Sequence, residues 1–119
     1  MNVRIPTFAR AFLLAAVMTA SAMPDANAAE AWHTSKIKML YPLGEGSFVL
    51  ILEADSASCL SPGNPKYYYV TPGQNGVTAE GARKIYAAAL LAHSQYLPVT
   101  FAFQVDSSAC YINRLAVLR

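Results

Sequence analysis

Two cysteines, Cys59 and Cys110, place the strongest constraint on what this chain can fold into. They lie downstream of a leader of the export type, and exported proteins reach compartments where thiols oxidise. A bond between them would close a loop of about fifty residues, for which chain entropy contributes about 4 kcal/mol. The alternatives are two free thiols or a metal pair. Both are weak, because no Cys-x-x-Cys motif occurs and His33 and His93 are the only imidazoles. A bonded pair is therefore the expectation.

Arg4 and Arg10 supply a positive start, and the segment from Ala11 to Met23 is apolar. Such a run is too short for a stable membrane anchor and has the length of a signal-peptide core. Pro24 ends it, and Ala26-Asn27-Ala28 is a small-residue cleavage site, with Ala20-Ser21-Ala22 as a second candidate. Residues 1–28 are thus expected to be a signal peptide and residues 29–119 a single domain, periplasmic or secreted and without a membrane anchor after processing. The nine basic and seven acidic side chains fall to seven and six once Arg4, Arg10 and Asp25 are set aside. Only the pairs Lys36/Lys38 and Arg83/Lys84 cluster, whereas nucleic-acid binding calls for a basic face. That class is discounted.

A domain of about ninety residues has a marginal core by surface-to-volume scaling, so its strands must bury their apolar faces well. Ser35 to Tyr41 alternates, with Ile37, Met39 and Tyr41 on one face and Lys36 and Lys38 on the other. Glu30 to Thr34 ahead of it reads as a flexible lead. Ser47 to Ala54 is apolar on both faces, as in a strand covered from two sides. The second cover would be the helix or another subunit, and this carries an expectation of self-association. Tyr67 to Thr71 is a third strand, Val99 to Val105 a fourth with Ala102 facing out, and Tyr111 to Leu118 a fifth.

Between the third and fourth strands, Thr78 suits a helix N-cap and Glu80 suits the positive end of the helix dipole. Ala82, Ile85, Tyr86, Ala89, Leu90 and His93 then repeat at helical spacing. The helix stops before Pro98. The order β-β-β-α-β-β is mainly β with one helix, and it is the order of an OB-fold-like small barrel. An open antiparallel sheet packed on one helix is the alternative.

That strand order, the chain length and a disulfide bridging two inter-strand loops resemble the B subunits of AB-type bacterial toxins, of the subtilase cytotoxin B subunit kind. The residues that carry the resemblance are Cys59, Cys110, the strand segments and the Thr78–His93 helix. It implies an exported OB-fold protein that assembles as a pentameric ring and binds cell-surface glycans. No sugar-binding motif matches position by position, so it transfers no binding residue.

The residues themselves nominate Tyr67 and Tyr69. Three consecutive tyrosines on a strand alternate between faces. If Tyr68 and Val70 point inward, Tyr67 and Tyr69 are exposed together, and two such rings stack on a sugar face and hydrogen-bond its edge. Asn64 and Lys66 in the preceding loop are candidate polar contacts. The competing reading is strand propensity and barrel packing.

Asp55-Ser56-Ala57-Ser58-Cys59 and Asp106-Ser107-Ser108-Ala109-Cys110 echo each other. Two carboxylates brought together by the disulfide would suit glycoside hydrolysis or a hard cation. Turn chemistry is the simpler reading. His93, on the helix stripe, reads as a packed residue or a dipole partner, and Trp32 as a cover for the barrel end or a partner contact. No G-x-S-x-G occurs. The expectation is a non-catalytic exported binding module that needs no cofactor or metal. The alternatives are a structural or inhibitory envelope protein, or a small hydrolase using Asp55 and Asp106.

Overall fold

The computed structural model describes residues 29–119. The expected signal peptide, residues 1–28, lies outside the described residues. The described chain runs β1 (Glu30–Pro42), β2 (Phe48–Leu52), β3 (Tyr68–Val70), α1 (Ala79–Ser94), β4 (Pro98–Gln104) and β5 (Ile112–Val117). The strands form one five-stranded antiparallel sheet in the order β3-β2-β1-β4-β5. The fold is mainly β with one helix, in the order read from the sequence. The sheet is not closed by a ladder between β3 and β5. One backbone hydrogen bond, Tyr69 N to Ala109 O at 3.2 Å, links the two edges, and the Cys59–Cys110 disulfide lies beside them with its Cα atoms 5.7 Å apart.

Strand β1 departs from the sequence reading in two ways. Its first half is not a flexible lead: Glu30 to Lys36 pairs residue for residue with β4, from Glu30 opposite Gln104 to Lys36 opposite Pro98. His33 is consequently fixed, with Nε2 2.7 Å from Ala54 O and its ring edge-on to Phe101. The second departure is a bulge. Ile37 pairs with Leu52 but Met39 pairs with Ile51, so Lys38 is an extra residue. An extra residue inverts the alternation that follows it. Ile37 stays buried, Leu40 packs on the core, and Met39 and Tyr41 turn outward at 50 % and 40 % exposure. The apparent Ile37–Met39–Tyr41 face does not exist.

Strand β2 is buried along its whole length. Phe48, Leu50 and Leu52 join the core beneath α1. Val49 and Ile51, on the opposite face, are covered without a second subunit: Tyr41 and Tyr69 flank Val49 across the strands, and Met39 flanks Ile51. The second cover is therefore the chain's own side chains, and the two-faced strand supplies no argument for self-association. Ala102 faces away from the core, as the alternation requires, yet it is buried. Its cross-strand neighbours Trp32 and Arg114 meet over it, the guanidinium 4.9 Å from the indole ring, and Arg114 is held in turn by Glu30 at 2.9 Å.

Helix α1 begins as the sequence predicts. The Thr78 hydroxyl accepts a hydrogen bond from Gly81 N at 2.9 Å. Ala82, Ala89 and Ala92 are buried, and such small side chains let the helix axis approach the sheet closely. Leu90 is not part of this stripe and is exposed at 46 %. With Ala89 and Ala92 already against the sheet, a leucine beside them faces away. His93 does pack: its Nδ1 lies 3.1 Å from Ile37 O at the β1 bulge.

Candidate functional site

The site is assembled by two turns of the same design. Ser56 O accepts from Cys59 N and Ser107 O accepts from Cys110 N, each at 3.2 Å. Ser56 Oγ accepts from Ser58 N and Ser107 Oγ from Ala109 N, each at 3.1 Å. The repeated Asp-Ser segments are thus serine-stabilised turns that present the two cysteines to each other. Asp55 is engaged locally. Its carboxylate accepts from Lys66 N and from the Tyr68 hydroxyl, both at 3.3 Å.

That Tyr68 hydroxyl also accepts from Ser56 N at 2.8 Å. The ring is fully buried and packs edge-on to Phe101 and Phe103. Burial pushes its pKa up to about 12, because the interior disfavours the phenolate. Tyr68 therefore ties the first cysteine turn to the core.

With Tyr68 and Val70 inward, Tyr67 and Tyr69 fall on the outer face, as the alternation requires. They are half-buried rather than freely exposed, because neighbouring rings flank them. Tyr41, Tyr67, Tyr69 and Tyr111 form a continuous series with centroid separations of 6.1, 6.3 and 6.4 Å. Tyr111 is positioned at its backbone, where its carbonyl accepts from Asn75 Nδ2 and Gln104 N, each at 2.9 Å.

Tyr67, Tyr69 and Tyr111 line a cleft of about 640 Å³, within the range of about 300–1,000 Å³ usual for small-ligand sites. The Ser61–Pro65 loop forms one wall and Ser108 with Ala109 the other. Among the described residues, the tyrosine hydroxyls that find a protein partner are those of Tyr68 and Tyr96. The hydroxyls of the three cleft tyrosines are left to solvent or a ligand.

Of the four residues nominated from sequence, three meet in this cleft: Tyr67, Tyr69 and Asn64. Lys66 does not line it. Its Nζ donates to Ser56 O at 2.9 Å and Cys59 O at 2.8 Å, which makes it a fastener for the loop. The sequence does not nominate Tyr111 or Tyr41 for the site. Tyr111 had a legible signal, since it follows Cys110 and a bonded Cys59 brings it to the loop before Tyr67. Tyr41 had none, because the bulge reverses its face.

A second depression of about 470 Å³ lies between the β1–β2 turn and α1, lined by Pro42, Leu43, Phe48 and Tyr86 among others, and holds none of the nominated residues. Among the described residues, no group of three or more His, Cys, Asp or Glu is placed to hold a metal ion, and no helix is long and apolar enough to cross a membrane. No protein-family model, curated protein or solved structure matches the chain.

Proposed function

We propose that this is an exported, non-catalytic carbohydrate-binding module whose binding site is the cleft of Tyr67, Tyr69 and Tyr111 with Asn64 at its lip. One observation carries the reading: three half-buried rings on one face line a cleft of ligand size, with hydroxyls that have no partner among the described residues. Aromatic faces stack on the C–H face of a pyranose, and phenol and amide groups hydrogen-bond its hydroxyls. The sheet order, with the β3 edge next to the β5 edge, supports an OB-type barrel as the finer description. In the toxin-B-subunit-like reading, copies arranged in a ring would engage several glycans at once, raising avidity without any new contact.

A glycan array probed with the disulfide-bonded protein tests this, alongside Tyr67→Ala and Tyr111→Ala. Both variants are first checked for unchanged near-ultraviolet circular dichroism away from the lost tyrosine band. Selective binding by the wild type that folded variants lose supports the site. Equal binding by folded variants, or none by the wild type, overturns it. A protein partner is the second reading, favoured by Leu90 and Leu91, which stand adjacent on α1 and exposed at 46 % and 48 %.

A further inference from the structure

We propose that the depression between the β1–β2 turn and α1 binds small amphiphilic carboxylates, molecules with an apolar tail and an acid head. The site is separate from the tyrosine cleft and independent of the carbohydrate reading. Its floor is buried: Ser47, Phe48 and Ala82 are exposed by 3 %, 2 % and 3 %. Pro42 and Leu43 of the turn form one wall and Tyr86 of the helix the other. The volume of about 470 Å³ lies in the range of small-ligand sites. Both walls are fixed by the protein's own contacts. The turn is closed by Leu43 N donating to Ser47 O at 2.8 Å and Gly46 N to Leu43 O at 3.2 Å. Gly46 has φ +102° there, a conformation that glycine adopts without strain. The Tyr86 ring stands edge-on to Phe48, with centroids 5.0 Å apart.

The polar groups of the groove decide the head. Ser47 is engaged, its hydroxyl donating to Glu45 Oε2 at 2.6 Å and its carbonyl accepting from Leu43 N. Two side-chain groups remain, the Arg83 guanidinium and the Tyr86 hydroxyl. Among the described residues, the ion pairs are Lys84–Glu80 and Arg114–Glu30, and the tyrosine hydroxyls with protein partners are those of Tyr68 and Tyr96. The acids of the same turn and helix, Glu45 and Glu80, are turned to Ser47 and Lys84 at 2.6 and 3.7 Å. Arg83 and Tyr86 are three residues apart on a helix and so stand side by side on one rim. A carboxylate there accepts charge-assisted hydrogen bonds from the guanidinium and a further one from the phenol. Its tail meanwhile covers Leu43 and Tyr86 and takes their apolar surface out of water. A cationic head would meet a like charge, and a neutral alcohol would gain no ion pair.

The probes are decanoate, decanol and decyltrimethylammonium, each titrated below its micelle concentration into the ¹⁵N-labelled, disulfide-bonded protein. Saturable amide shifts should appear at Leu43, Gly46, Ala82 and Arg83 and not at Tyr67 or Tyr111. Decanoate should bind about five- to tenfold more tightly than decanol, the gain expected for a charge-assisted contact at a partly exposed rim. Decyltrimethylammonium should bind most weakly. Arg83→Gln, an exposed position, should bring decanoate to the level of decanol. Tyr86→Phe, which keeps the ring against Phe48, should weaken decanoate more than decyltrimethylammonium. No saturable shift at the groove with any probe, or shifts confined to Tyr67 and Tyr111, would overturn the site. Equal binding of the three probes, or decanoate binding unchanged in Arg83→Gln, would overturn the acid head. Neither result bears on the glycan array, which reads the other cleft.

Discussion

Removing the disulfide should cost this fold a large share of its stability. Cys59 and Cys110 are 51 residues apart, and cross-linking a loop of that size lowers the entropy of the unfolded chain by an amount worth about 4 kcal/mol. Domains of this size have total stabilities of about 5–15 kcal/mol. The local hydrogen bonds of the two turns, Cys59 N to Ser56 O and Cys110 N to Ser107 O, do not replace the cross-link, because each stays within its own turn. Between the joined segments the polar links that remain are few: Tyr69 N to Ala109 O, and Asn75 Nδ2 to Tyr111 O.

Both cysteines are also buried, at 2 % and 0 % exposure, so Cys59→Ala/Cys110→Ala adds a small cavity term. Urea unfolding of the double variant should show a loss of about 3–5 kcal/mol and a steeper denaturant dependence, since an uncross-linked unfolded chain exposes more surface. The reduced wild type, which keeps both sulfurs, separates the cross-link from the cavity and should retain most of the loss. A loss below about 1 kcal/mol with an unchanged slope would refute the reasoning, because it would mean the native contacts alone set the loop.

Three further outcomes are expected. Thr78→Ala removes the hydroxyl that accepts from Gly81 N and should lower stability in denaturant titration by about 1 kcal/mol, with Thr78→Ser close to wild type. Tyr68→Phe leaves Ser56 N without its buried acceptor and should cost about 1–3 kcal/mol. Tyr68 has its folded pKa raised from 10.0 to about 12, so its contribution is fully present below pH 10. It is lost as pH rises toward 12 by up to about 1.4 kcal/mol per unit, and a Tyr68→Phe protein measured across that window should show a shallower decline. Ala89→Leu forces a larger side chain into a fully buried helix–sheet contact and should lower the melting temperature with a loss of about 1–3 kcal/mol, whereas Leu90→Ala on the exposed side should change it little.

Much of the architecture was legible in the residues because it follows from local chemistry. The threonine cap, the alanine-rich stripe, the two-sided apolar run of Phe48–Leu52 and the inward pair Tyr68 and Val70 are properties of neighbouring positions, and local preference and global packing agree there. The cysteine pairing was legible because the chain has only two candidates. The repeated Asp-Ser turns were visible as a repeat, yet their purpose was not. A serine that stabilises a turn and an aspartate awaiting a cation look alike until the partner atoms are known.

Tertiary structure decided the rest, each time through a contact distant in sequence. The bulge at Lys38 turned Met39 and Tyr41 outward, because one extra residue shifts every later side chain to the other face. Pairing with β4 made Glu30–Thr34 part of a strand, although its own composition reads as a lead. Lys66 became an internal fastener because two carbonyls of the folded loop converge on its ammonium. The candidate site depended on both sources. Strand alternation alone placed Tyr67 and Tyr69 on one face, but only the meeting of the β3 and β5 edges brought Tyr111 beside them. A cleft between segments 39 residues or more apart cannot be read from the period of either one.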